Sequence, residues 1–337
     1  MGCGADVRPP ARLLNSPRSF TMVGRRILVT GADGFVGRHL CAELVRRNAD
    51  VHALVRRPSS VPVDGVRYLV GELADAPRVL QQALPFDAVV HLAARVHVMH
   101  ETVADPAKEF HRVNVAGTER LLDAVLGSSA PVVLFVSSVK ALGIDGDRDA
   151  YGRSKLAAEQ LITTRSEAAG GRGVVLRLPL VYGAGMRGNM LRLFDAVDRG
   201  LLLPLGSIRN QRSLVGVGNV VAAICLLLES PSARGTLTVR DAHNVSTPEL
   251  VRAVARALDR PPRLIPVPAA LFALAGRVGD LLSAVLPMPF TSMESDRLLG
   301  SLIVENFTVD GTPFYPPVSL EEGLAATARW YRSRSVV

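Results

Sequence analysis

Lysine is scarce in this 337-residue chain: only Lys108, Lys140 and Lys155 occur, so 36 of the 39 basic residues are arginine. Cysteine is as scarce, with Cys3, Cys41 and Cys225 far apart and odd in number. That excludes a disulfide framework and any metal-ligand spacing, and it points to a reducing, cytoplasmic compartment. The net charge is +8, yet no run of five basic residues and no basic patch interleaved with aromatics accompanies it, so nucleic acid is not an expected partner. Long apolar runs are also missing. The most apolar segment, 264–287, is interrupted by Pro266, Pro268, Arg277 and Asp280. A membrane-spanning helix is therefore not expected; a buried amphipathic helix is, with peripheral membrane contact left open. Residues 1–21 lack the apolar stretch of a secretory signal. Met22 directly precedes VGRRILVTG, so residues 1–22 read as a disordered tail or an extension ahead of the true start.

What is present is an alternation of short apolar strands with helical patterns. RRILVTG, DVHALVRR, VRYLVGEL, DAVVHLAA, PVVLFVSS and GVVLRLPLVYG read as strands. Helices are expected from Phe35 to Arg47, around Pro77 to Leu84, from about Pro106 to Leu126, and over the stretch carrying Tyr151 and Lys155. This is the pattern of parallel βαβ units, hence an α/β, Rossmann-like doubly wound parallel sheet. After Tyr182 the segments become Pro-rich and less regular. Residues 23–182 are read as a dinucleotide-binding domain. Residues 183–337 are read as mainly a smaller substrate-binding lobe, with one strand and one helix returning to the first domain. Ser246 to Glu249, STPE, carries the hydroxyl cap, early proline and acid of a helix start.

Gly31, Gly34 and Gly37 lie between the first strand and the first helix in VTGADGFVG. The first would permit a tight turn, the second a close approach of backbone to a pyrophosphate, and the third close packing of helix on strand. The helix N-terminus then offers N–H groups and a partial positive charge to phosphates. An acid at the end of the second strand would hold an adenosine ribose diol; Arg56-Arg57 stands there instead. That favours NADP(H), with NAD(H) as the alternative.

Tyr151 and Lys155 are four residues apart, neighbours on one helix face. An ammonium beside a phenol favours phenolate, so the pair is expected to lower the tyrosine pKa toward general acid–base work. Ser138 ends the LFVSS strand, at the sheet edge where ligands bind in such folds.

Together, TGADGFVG, HLAA, VNVAGT, FVSS, YGRSK and RLPLVYGAG resemble the extended short-chain dehydrogenase/reductases, the NAD-dependent epimerase/dehydratase group, over about residues 24 to 330. The resemblance implies Ser138, Tyr151 and Lys155 as catalytic residues. It implies Leu92, Ala93, Ala94, Pro179 and Val181 beside the cofactor, with Phe35, Val36 and Leu73. It implies Asn114 on the helix behind the site, positioning the lysine. More narrowly, HLAARVHVMHE, SSVK, YGRSKLAAEQ, RGNMLRL and LPLGSIRNQRSLV resemble bacterial reductases of UDP-2-acetamido-2,6-dideoxy-hexos-4-ulose in O-antigen and capsule synthesis. That implies NAD(P)H-dependent reduction of a sugar C4 ketone and a place for Lys140 in the substrate site. A UDP-sugar diphosphate calls for arginine forks, for which Arg187, Arg212 and Arg297 are candidates. Asn189 could bond a phosphate or sugar oxygen, and Leu205 could face uracil. No metal is called for, and a homodimer is left open.

Two departures from the family stand out. Only 13 positions separate Ser138 from Tyr151, a shorter connection than extended members use, and Phe314-Tyr315 stands where Gly-Trp is usual. Dehydratases of the group carry Asp-Glu after the serine pair; Val139-Lys140 here argues against dehydration. C4 epimerisation with bound NAD and a non-catalytic dinucleotide sensor are the alternatives.

Overall fold

The computed structural model describes residues 22–96, 105–127, 129, 131–143, 149–283 and 291–334. The short runs that read as strands are parallel strands of one sheet. They are β1 (Arg26–Thr30), β2 (Asp50–Val55), β3 (Val66–Val70), β4 (Ala88–His91), β5 (Val132–Ser138) and β6 (Arg172–Leu178). A seventh, β9 (Gly235–Thr238), joins from beyond residue 182, giving the order β3-β2-β1-β4-β5-β6-β9. Every neighbouring pair is parallel. The order reverses between β1 and β4, so a crevice opens at their carboxyl ends.

Side chains alternate across the strands, and the two faces bury two separate cores. Ile27, Val29, Val51, Ala53, Val90 and Leu134 point to one face, where α1 (Phe35–Arg46) and α7 (Val217–Glu229) pack. Leu28, Leu54, Val89, Val133 and Phe135 point to the other, covered by α2 (Ala76–Leu80), α4 (Gly117–Leu126) and α5 (Ala150–Ala168). Cys41 and Cys225 are unpaired thiols buried in the first core, and burial pushes both up to about 12, which leaves them inert.

The helix expected from Pro106 to Leu126 is helical throughout but not uniform: α3 (Pro106–Phe110) passes into a π-helical turn, His111–Ala116, before α4. The sixth predicted strand is also divided. β6 stops at Leu178, Pro179 intervenes, and β7 (Leu180–Tyr182) leaves the main sheet to pair with β8 (Leu214–Gly216). Proline lacks the N–H that a continued ladder needs.

A third core joins α6 (Asn189–Asp198), α8 (Thr247–Ala257) and α11 (Leu320–Arg334) around Tyr182, Phe194, Val251 and Leu324. Ser246 caps α8 in a full capping box with Glu249. Asp241 pins this lobe to the sheet: its carboxylate accepts from Tyr182 Oη at 2.7 Å, Asn219 Nδ2 at 2.7 Å and the Gly216 N–H at 3.0 Å. Three neutral donors hold the buried charge, while burial raises its pKa. Phe314, in the hairpin of β10 (Thr308–Val309) and β11 (Thr312–Pro313), is buried and stacks on Phe307 at 5.0 Å, whereas Tyr315 is exposed. The short connection before Tyr151 lies partly outside the described residues, as do residues 1–21.

Candidate active site

The turn from β1 to α1 is built around glycine. Gly31 has φ +69°, and a Cβ there would sit 2.7 Å from the Ala93 backbone nitrogen, so both conformation and space demand glycine. A Cβ on Gly37 would lie 2.3 Å from the Gly31 carbonyl. Gly34 is the N-cap of α1; no side chain bonds the first turn and no acid lies in it. These glycines leave a cradle at a helix N-terminus suited to a pyrophosphate. Phe35 packs toward the third core and contacts His39 edge-on, while Val36 packs on the first core. His39 reaches the Ala184 carbonyl at 2.8 Å, tying α1 to the segment after β7.

Most other expected cofactor positions fall on the same sheet edge. Leu92, Ala93 and Ala94 follow β4 and are partly buried. Leu73 follows β3, and Pro179 and Val181 follow β6. Arg56 and Arg57 are exposed at the end of β2.

Ser138 closes β5, and Tyr151 and Lys155 occupy the first turns of α5. Asp149 caps that helix through the Gly152 N–H at 3.1 Å. Lys140 Nζ lies 3.7 Å from Asp149 Oδ2, so this lysine braces the connection between Ser138 and Tyr151. Ser138 lies near enough to the Tyr151 phenol to act against the rise in its pKa, and Phe110 lies against the tyrosine ring at 5.8 Å.

The expected lowering of the tyrosine pKa is not seen in the chain alone. Burial pushes Tyr151 up to about 12, with Asp149 adding to the rise and Ser138 opposing it. Lys155 is 2% exposed, donates to the Val136 carbonyl at 2.8 Å and lies 3.9 Å from the Phe135 ring centre. Burial lowers it to about 7, against the pull of Glu159. Desolvation of both groups therefore outweighs the attraction that their spacing implies.

Behind the trio lie Asn114, which the motifs pointed to, and polar groups around Glu159 and His91 that motif reading passed over. Glu159, a turn beyond Lys155, takes a forked ion pair from Arg177, with Nε at 2.9 Å and Nη2 at 2.6 Å, and accepts the Ser137 hydroxyl. His91, at 0% exposure, bonds Thr30 Oγ1 at 2.6 Å and Thr118 Oγ1 at 2.9 Å. Thr118 spends its hydroxyl proton on the Asn114 carbonyl, so His91 donates from Nε2 and accepts at Nδ1. Burial and the nearby Lys155 keep the imidazole neutral, with its pKa down at about 3. Asn114, in the π turn, accepts from the Arg95 N–H at 2.7 Å and donates to the Arg95 carbonyl and to Ser154 Oγ. Its side chain thus reaches the residue before Lys155. The signal for these groups was a polar residue inside an apolar strand, as in AVVH, and an acid four places beyond the lysine.

The substrate candidates are less gathered. Arg187 and Asn189 are exposed at the start of α6, and Leu205 is partly buried in the loop after it. Arg212, expected to grip a diphosphate, instead turns Nη2 onto the carbonyls of Arg297, Leu298 and Gly300 beside α10 (Ser292–Leu299). It is a clasp between loop and helix, and its buried Nε has no hydrogen-bond partner among the described residues. Arg297 Nη1 lies 3.9 Å from Glu294.

Comparison with known proteins agrees with this layout. Residues 27–239 match the model of the NAD dependent epimerase/dehydratase family. The chain is 32% identical to a UDP-glucose 4-epimerase of Vibrio cholerae over 321 residues, covering 90% of this chain and 95% of that one. It superposes on a UDP-glucose 4-epimerase of Thermus thermophilus in complex with NAD with a TM-score of 0.68 at 25% identity, covering 91% and 99% of the two chains. It superposes on MoeE5 in complex with UDP-glucose and NAD with a TM-score of 0.66 at 28% identity, covering 93% and 100%. A glycine cradle at the switch point, a Ser–Tyr–Lys trio beside it and these matches have one reading: the chain is a member of the NAD-dependent epimerase/dehydratase family.

Proposed function

We propose that the chain transfers hydride at C4 of a UDP-linked hexose, and that it works as a reductase of a UDP-4-keto-6-deoxy-N-acetylhexosamine. The observation that carries this reading is the placing of Ser138 at the end of β5 and of Tyr151 and Lys155 in the first turns of α5, at the sheet edge that also carries the glycine turn, with burial keeping the Tyr151 phenol protonated. A phenol that keeps its proton is set to give it away, which is what a ketone needs as it becomes an alcohol. When bound, the nicotinamide supplies the hydride.

Gly31, Gly34 and Gly37 would hold its pyrophosphate at the start of α1, with Leu92 to Ala94, Pro179 and Val181 as walls. Exposed Arg56 and Arg57 would favour a 2′-phosphate, hence NADP(H). Tyr151 donates its proton to the sugar C4 oxygen, and Ser138 hydrogen-bonds that same oxygen. Lys155 would reach the nicotinamide ribose and, once charged, draw the phenol pKa down. Asn114, through Ser154, fixes the turn that carries the lysine. Arg187, Asn189, Arg297, Lys140 and Leu205 are the residues proposed to face the sugar nucleotide.

C4 epimerisation is the second reading, favoured by the full-length match to UDP-glucose 4-epimerases. The two differ in cofactor economy. A reductase consumes one NADPH per ketone and releases the oxidised form; an epimerase shows no net consumption and retains its nicotinamide through purification. Stoichiometric loss of NADPH with a 4-keto UDP-sugar supports reduction. Inversion of UDP-glucose or UDP-N-acetylglucosamine without net cofactor turnover overturns it in favour of epimerisation.

A further inference from the structure

The helix α9 (Ala269–Ser283) leaves a stripe of large aliphatic residues exposed. Soluble helices bury their large apolar residues and expose the rest. Here the inward face carries two glycines beside the partly buried Phe272. Gly276 and Gly279 are buried, and a Cβ on Gly276 would lie 3.0 Å from the Ser292 backbone of α10. Asp280, on the same side, accepts the Ser292 N–H at 3.1 Å. Four large aliphatic residues face out: Leu271 is 54% exposed, Leu274 58%, Val278 47% and Leu281 77%. Their spacing of three, four and three residues makes one continuous stripe along the helix.

The apolar surface does not stop at the helix. Leu201, Leu202 and Ile265 are also exposed, at 51%, 64% and 40%. They lie side by side, because Leu203 and the 263–265 segment exchange backbone hydrogen bonds at 2.8 Å, and that segment leads directly into α9. A continuous exposed apolar surface of this kind marks an interaction site.

We infer that this surface is a bilayer-docking face, with α9 lying in the headgroup region of an anionic membrane. Two features select lipid over protein. The exposed side chains are all aliphatic, whereas the anchor residues of protein interfaces are chiefly aromatic residues and arginine, with leucine and valine under-represented. The charge around them is predominantly basic: residues 256–281 hold Arg256, Arg260, Arg263 and Arg277, all exposed, against Asp259 and Asp280, with Arg260 also paired to Asp198 at 3.1 Å, in a chain of net charge +8. An aliphatic face bordered by arginine is the composition of an interfacial helix on anionic lipid. A second copy of the chain would instead bring two such basic rims together, as a two-fold contact pairs identical patches. The inference does not depend on which reaction the site performs.

The test is flotation of the full-length chain with vesicles of phosphatidylcholine alone or mixed with phosphatidylglycerol. The chain floats with the mixed vesicles, less with phosphatidylcholine, and less as salt rises. Leu274→Asp/Leu281→Asp weakens partitioning at least about tenfold, the loss of two buried leucines, while its thermal transition and NADPH binding stay as in the parent. Should the variant fail to fold, hydrogen exchange on the parent chain gives the second measurement: amides of residues 269–281 gain protection when mixed vesicles are added. Absence of flotation with mixed vesicles, flotation of the folded variant equal to the parent, or unchanged exchange in 269–281 overturns the inference. So does a vesicle-free dimer that the variant converts to monomer, which assigns the stripe to a second copy.

Discussion

Tyr151 and Lys155 show how burial revises what spacing implies. Four residues apart on α5, they would by charge alone favour phenolate; desolvation instead keeps Tyr151 a phenol and brings Lys155 down to about 7. Tyr151→Phe should lower kcat by about 10²- to 10⁴-fold, the usual worth of one general acid, with cofactor affinity unchanged by fluorescence titration. Lys155 gives a stability signature. Its folded pKa of about 7 lies below its ordinary 10.5, so between these values the unfolded chain binds more protons and stability rises with pH. The cofactor-free chain should therefore gain Tm relative to Lys155→Met as pH goes from 7 to about 10; a difference independent of pH would refute the lowered lysine pKa. The trio itself was legible in YGRSK and FVSS. The direction of the pKa shifts was not, because sequence shows which charges are near but not how much water is excluded.

At the scale of elements, short apolar runs revealed β1 to β6 because parallel strands buried on both faces leave little ambiguity. The π turn at His111–Ala116 was hidden: HRVNVA has the composition of an ordinary helix, and only its hydrogen-bond ladder distinguishes it. That turn holds Asn114, whose side chain satisfies both backbone groups of Arg95 and the Ser154 hydroxyl. Asn114→Ala leaves buried partners unpaired and should cost about 2–4 kcal/mol in denaturant unfolding, from one to three unmet hydrogen bonds. It should also lower kcat more than it raises KM if the turn positions Lys155; a loss of stability with unchanged kcat would make it purely structural. The exposed aliphatic stripe of α9 was equally illegible, since an apolar helical pattern reads the same whether its leucines face a core or water.

Over the whole molecule, the second half of the chain is where sequence reading thinned. β9 and α7 return to the sheet, yet GTLT is short and α7 is apolar on nearly every side, so neither carries a clear period. What joins the lobe to the sheet is a polar knot, Tyr182–Asp241–Asn219, assembled from residues up to 59 positions apart. Tyr182→Phe removes one of three donors to a buried carboxylate and should cost about 1–3 kcal/mol, read as a lowered Tm in a single cooperative transition. The glycine turn lies on the first 182 residues, while the sugar-facing candidates lie largely on the lobe, so the family was more legible than the sugar. The central claim is tested most directly by mass spectrometry of the sugar nucleotide after incubation with UDP-2-acetamido-2,6-dideoxy-hexos-4-ulose and NADPH. The account predicts a gain of two hydrogens that Tyr151→Phe abolishes; an unchanged mass with both NADPH and NADH would contradict it.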